Sequence, residues 1–374
     1  MQRLEIKPRP DYARKLENIG LSFHALDNYW NENVCYRFTA AEVDELEAAT
    51  EDLHKMCLDA VQYVIEHNRF ADLGIPPAFW QPIAASFARR DFHLYGRFDF
   101  AYDGQSPPKL LEYNADTPTS LLEAAVAQWY WLEEKFPQAD QFNSLHEKLV
   151  ARWKQFGPGI DTIHFASLAE NEEDWVCATY LMDTAAQAGF EVRHIFVEDI
   201  GWSDERRTFV DLDEQPIAAL FKLYPWEFML REEFGAHVAE ARTRFIEPLW
   251  KAVLSCKGLL PILWEMYPNH PNLLPAYFEP GKLSSYAKKP LYSREGANIE
   301  LVENGKTIAH DGGPYGAEGH VYQALCRLKS HDGRYPVVGC WVVHDSAAGR
   351  GIREDGQPIT TNLSNFVPHY FDKE

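Results

Sequence analysis

A chain of 374 residues, 46% hydrophobic and 25% charged, is long enough to bury a large core and has the composition of a globular protein with two or three lobes. Its 36 basic and 56 acidic residues give a net charge of −20, which either serves solubility alone or welcomes a cationic amine; a polyanion would be repelled, so nucleic acid is not an expected partner. No apolar run follows Met1, and about 18 uncharged apolar residues never occur in succession, so no membrane partner is expected and a cytoplasmic location is.

In chain order, residues 39–67 read as a helix, with Val43, Leu46, Leu53, Met56, Val61 and Val64 near helical spacing. A second helix is predicted over 120–133, after the turn-like Asp116-Thr117-Pro118-Thr119. From 163 to 213 the pattern alternates: a short apolar run, a helix over 174–188 and a strand over 190–196, which together predict an α/β lobe. From 286 onward, strand-like runs at 300–302, 319–325 and 337–343 are separated by glycine pairs and Asp-Gly turns, so the last third is expected to be mostly sheet. Cys35, Cys57, Cys177, Cys256, Cys326 and Cys340 form no Cys-x-x-Cys pair. The fourteen histidines show neither His-x-x-x-His nor His-Glu-x-x-His spacing, and none is assigned a metal.

The strongest chemical signal is Arg97-Phe98-Asp99-Phe100, a turn at Asp103-Gly104-Gln105-Ser106-Pro107-Pro108, and then Leu110-Leu111-Glu112-Tyr113-Asn114. Two alternating strands joined by such a turn make a β-hairpin, in which Arg97 and Asp99 share one face and Glu112 and Asn114 another. If register unites those faces, one patch holds two carboxylates, an amide oxygen and a guanidinium. Oxygen donors of this kind suit Mg²⁺, and the arginine suits a transferred phosphoryl group. The same spacing equally fits a surface hairpin with solvated charges. Farther on, Lys289-Pro290 precedes the small-residue loop Ser293-Arg294-Glu295-Gly296-Ala297-Asn298, and a second glycine-rich loop spans 311–319; neither matches a Walker loop. Lys222 reads as a site residue or a core-edge lysine, and Arg350 and Arg353 as phosphate contacts or surface residues in a glycine turn.

These segments resemble the glutathionylspermidine synthase family of ATP-grasp ligases. The likeness is carried by Arg97-Phe98-Asp99, Glu112-Tyr113-Asn114-Ala115-Asp116, Lys222-Leu223-Tyr224-Pro225-Trp226-Glu227, Lys257-Gly258-Leu259-Leu260-Pro261, Lys289-Pro290 and Arg294-Glu295-Gly296-Ala297-Asn298-Ile299. Within the family it is most similar to the stand-alone acid–amine ligase branch, which lacks the amidase domain. The resemblance implies a permuted ATP-grasp fold of the α+β / α/β class, glutathione-synthetase-like, with mixed and antiparallel sheets and an α/β substrate lobe. A single module over 1–374 is expected, with approximate lobes at 1–155 (N-terminal helices and metal hairpin), 156–250 (substrate) and 251–374 (nucleotide).

It further implies Asp99, Glu112 and Asn114 as Mg²⁺ ligands, with two ions expected, and Arg97 as the catalytic contact to the transferred phosphate. Lys257, Lys289, Gly296, Gln323 and Leu325 are the implied ATP contacts. Thr117 and Thr119 stand where the family tends to carry serines around the substrate, and Glu172 and Glu173 match an acidic pair near its polyamine; a helix N-terminus also explains these two glutamates. The implied reaction joins a small-molecule acid, glutathione or another peptide-like acid, to a polyamine or other amine through an acyl phosphate, consuming ATP. The alternative is an ATP-binding regulatory or scaffold protein that has kept the fold without ligation.

Overall fold

In the computed structural model, which describes residues 1–373, the first predicted helix forms over Ala40–Glu66. Thr39 and Glu42 cap it reciprocally, and Val43, Leu46, Leu53, Met56, Val61 and Val64 all face the core. The segment predicted at 120–133 is helical through Lys135 but opens with a π-helical stretch, Glu123–Ala127. No helix among the described residues is long and apolar enough to cross a membrane.

The architecture is mixed α/β, with several sheets. Thr162–Ser167, Glu191–Phe196, Ala219–Lys222 and Arg244–Ile246 form a wholly parallel sheet. Helix Glu172–Gln187, capped by the Asn171 side chain, makes the crossover between its first two strands, as the alternating pattern predicts. The last third is sheet-rich as expected: Ala276–Tyr277, His320–Ala324, Tyr286–Pro290, Glu300–Glu303 and Lys306–His310 form an antiparallel sheet in that order.

The hairpin is made by Tyr95–Ala101 and Lys109–Asn114, closed by Gly104 at φ +74° and by Asp103, whose Oδ1 accepts from the amides of Gln105 and Ser106 at 2.8 and 2.7 Å. It does not stand alone. Tyr95–Ala101 also pairs with Tyr335–Val343, which continues through Ser346–Asp355 to Asn365–Phe366, giving a five-stranded antiparallel sheet. Phe98, Phe100 and Tyr113 fill the core from one face, with the Phe98 and Tyr113 rings stacked at 3.8 Å. The polar residues are thereby committed to the opposite face.

Candidate active site

Register settles the hairpin question: Asp99 lies opposite Glu112 and Arg97 opposite Asn114, so all four side chains share one patch. Arg97 clasps Asp99 with two hydrogen bonds, Nε to Oδ1 at 2.7 Å and Nη2 to Oδ2 at 3.0 Å, and donates from Nη1 to the Thr119 carbonyl at 2.9 Å. Asn114 Nδ2 donates to Asp99 Oδ2 at 3.0 Å and to Glu112 Oε1 at 3.3 Å. Its Oδ1 accepts no hydrogen bond among the described residues. The donor set is all oxygen and doubly anionic, which fits Mg²⁺.

The lysines come from outside the hairpin and meet it. Lys257 Nζ lies 3.1 Å from Glu112 Oε2 and donates to the Ser293 carbonyl at 2.7 Å. Lys289 Nζ donates to the Leu111 carbonyl and to Gln323 Oε1, each at 2.8 Å, while Gln323 Nε2 donates to the Leu110 carbonyl at 2.9 Å. Gln323 thus ties the sheet containing His320–Ala324 to the hairpin. Leu325 lines the same cleft, and its amide is taken up by the Ser285 carbonyl at 3.2 Å. Gly296, at φ +74°, also lines the cleft; a Cβ there would collide with the Thr360 carbonyl, so the 293–298 loop packs directly on residues 359–360.

Burial alone would raise the Glu112 carboxyl, but Lys257, Lys289 and Arg97 outweigh it and hold it down at about 2. Burial lowers the Lys289 ammonium to about 8, although Glu112 pulls the other way. Asp99 is raised by its burial in spite of Arg97.

The four residues expected to contact substrate separate. Thr117 and Thr119 line the cleft, Thr117 Oγ1 accepting from Arg294. Glu173 lines it as well, whereas Glu172 is exposed, lies outside the lining and accepts from Ser22 Oγ at 2.5 Å. Both belong to the acidic first turn of the Glu172–Gln187 helix, so the helix-terminus explanation holds for the pair regardless of ligand.

The sequence reading passes over Asp174, Glu227 and Ser293, all of which line the cleft beside Arg294. Burial raises Asp174 to about 7, with Glu173 adding to it and Arg294 opposing. Among the described residues, Arg294 Nε, Glu227 Oε2 and Ser293 Oγ are buried without hydrogen-bond partners. Arg350 and Arg353 lie within the Ser346–Asp355 strand rather than in a glycine turn, and neither is an exposed surface residue. Arg353 lines the cleft, held by the carbonyls of Ser364 and Thr361 at 3.1 Å. Arg350 is fully buried, its guanidinium 3.8 Å over the Phe38 ring. Lys222 is equally enclosed: Nζ contacts Asp116 Oδ1 at 2.6 Å, and Asp116 Oδ2 accepts from the Trp226 amide at 2.8 Å.

One cleft thus joins an acidic oxygen patch, an arginine clamp and two lysines. The sequence profile of the glutathionylspermidine synthase preATP-grasp family matches residues 3–372, and the chain belongs to that family. A Haemophilus influenzae protein described as a "Putative acid--amine ligase" is 46% identical over 97% of both chains. Trypanothione synthetase of Crithidia fasciculata is 29% identical over 84% of this chain, and the bifunctional glutathionylspermidine synthetase/amidase of Escherichia coli 28% identical over 89%. The chain spans only 53% and 58% of the length of those last two.

Proposed function

We propose that this chain is an ATP-dependent carboxylate–amine ligase of the permuted ATP-grasp type, which forms an amide through an acyl phosphate and releases ADP and phosphate. The observation that carries the reading is the convergence of Lys257 on Glu112, at 3.1 Å, within the patch that also holds Arg97, Asp99 and Asn114. A cation beside a metal-type carboxylate is the arrangement a Mg-nucleotide triphosphate requires. Asp99, Glu112 and Asn114 would hold Mg²⁺, which when bound neutralises charge on the phosphates.

The chain's own residues account for the remaining work. Lys257 and Lys289 hold the phosphates, and Arg97, fixed by Asp99 and the Thr119 carbonyl, meets charge developing on the transferred group. The 293–298 loop, seated on residues 359–360, covers the intermediate and excludes water. An amine then attacks the acyl carbon and phosphate departs, with no side-chain nucleophile required. Glu173 and Asp174 offer the amine its counter-charge. A peptide-like acid such as glutathione and a polyamine are the substrate classes this reading favours.

ADP release from Mg-ATP, screened against pairs of acids and amines with mass detection of products, tests it. Stimulation by one acid and one amine together, with a condensed mass, is expected. ATP binding without turnover against a broad panel of both classes would favour the regulatory alternative.

A further inference from the structure

Three histidines far apart in sequence converge on one carboxylate at the opposite end of the Tyr95–Ala101 strand from its turn. His54 comes from the Ala40–Glu66 helix, His93 from the residues just before the strand, and His344 with Asp345 from the turn between Tyr335–Val343 and Ser346–Asp355. Each imidazole aims Nε2 at Asp345: His54 at 3.1 Å and His93 at 3.4 Å from Oδ1, and His344 at 3.2 Å from Oδ2. The donor atoms of His93, His344 and Asp345 all lie within 4.8 Å of one another.

From this geometry we propose a second metal site, separate from the nucleotide cleft, that takes a divalent transition ion of the Zn²⁺ kind through His93, His344 and Asp345, with His54 hydrogen-bonded to the Asp345 carboxylate. Bonds of roughly 2.0–2.1 Å to a tetrahedral ion place neighbouring donors about 3.3 Å apart, and the His93 and His344 nitrogens, 3.4 and 3.2 Å from the Asp345 oxygens, bracket that length. A nitrogen-rich set with a single carboxylate selects such an ion over Mg²⁺ or Ca²⁺.

The surroundings fit a ligand role. His54 and His93 are 1% and 9% exposed, and His93 Nδ1 has no hydrogen-bond partner among the described residues. Tyr113 Oη lies 3.4 Å from His54 Nδ1, so the imidazole that hydrogen-bonds the Asp345 carboxylate is itself oriented, as outer contacts of a ligating carboxylate are. Of the nearby cations, Lys251 is neutralised by Glu247 at 2.6 Å, and Arg152 is occupied with the His93 carbonyl at 2.9 Å and the Phe92 ring. His344 holds φ +56°, an uncommon backbone for a side chain other than glycine. A bound ion would clamp the turn at His344 and Asp345 to His93, just before the strand that carries Arg97 and Asp99.

Tag-free protein titrated with Co²⁺, read by visible d–d absorption and then displaced with Zn²⁺, tests the site. Wild type should develop the band at about one equivalent and gain thermal stability with Zn²⁺. His344→Gln and Asp345→Asn change a turn whose side chains are 44% and 47% exposed, so folding should survive while Co²⁺ affinity falls at least about tenfold. Asp99→Asn should leave the band intact. No band in wild type, wild-type affinity in both turn variants, or loss of the band in Asp99→Asn alone would overturn the assignment.

Discussion

Asp99 and Glu112 face each other across the hairpin, yet their carboxyls are driven in opposite directions, Asp99 upward by burial and Glu112 down to about 2 by the two lysines and Arg97 that outweigh its own burial. Glu112 is therefore ionised at any working pH, whereas Asp99 takes up a proton first as pH falls. Mg²⁺ activation should weaken on the acid side through Asp99 while Glu112 stays charged. Asp99→Asn should lower Mg²⁺-dependent ADP formation by at least about 100-fold and flatten the acid limb; Glu112→Gln should lose activity while keeping that limb in the residual rate. Thermal unfolding of each variant separates lost chemistry from lost fold.

Lys289 gives the alkaline counterpart. With its ammonium lowered to about 8, it is charged below that pH and neutral above it, so ATP affinity should fall as pH rises through about 8. In the nucleotide-free protein the sign for stability is reversed: the unfolded lysine keeps its proton to the ordinary value, so stability should rise with pH between about 8 and the ordinary lysine value of 10.5. Lys289→Met should bind ATP at least about tenfold more weakly and lose the pH dependence of affinity. Calorimetric titration at several pH values checks both; unchanged affinity in the variant would move the phosphate site elsewhere.

The hairpin was legible because its signal is local. Arg97, Asp99, Glu112 and Asn114 follow from strand alternation and a turn with Gly104 at its bend, and register supplies the rest. The same holds for Ala40–Glu66 and for the α/β run around Glu172–Gln187. What joins the hairpin to Lys257 and Lys289 was not readable from spacing; only the family resemblance linked them, because the contacts bridge distant segments. The pairing of Tyr95–Ala101 with Tyr335–Val343 joins the first and last thirds of the chain, and no local pattern announces it. For the same reason the meeting of His54, His93 and His344 escapes any search by spacing.

Lys222 and Asp116 form an ion pair at 2.6 Å with both side chains 2% exposed, and Asp116 also anchors the Trp226 amide. Removing one partner strands the other charge in the core, so Lys222→Met or Asp116→Ala should each cost about 3–5 kcal/mol of stability. Removing both, as Lys222→Met with Asp116→Leu, should cost clearly less than the two single losses together. Denaturant unfolding of the four proteins gives the coupling. Additive losses would show that the two side chains do not depend on each other.

Asp174 and Glu173 are adjacent in one helical turn at the cleft, and the pH at which Asp174 ionises decides what it can bind. Buried beside Glu173, its carboxyl is raised to about 7, so below that pH it is neutral and a poor partner for an ammonium group. Amine affinity should therefore rise as pH increases through about 7, since ordinary alkylamines remain protonated there. Asp174→Asn should abolish that rise and weaken amine binding about five- to tenfold at pH 8. Glu173→Gln should weaken binding comparably and, by removing a neighbouring negative charge, shift the transition to lower pH. Glu172, exposed and paired with Ser22, supplies the control: Glu172→Gln should change amine affinity less than about twofold. Spermidine titrated into the Mg-nucleotide complex at pH 6, 7 and 8 distinguishes these outcomes. An effect of Glu172→Gln larger than that of Glu173→Gln would place the amine on the outer side of the helix rather than in the cleft.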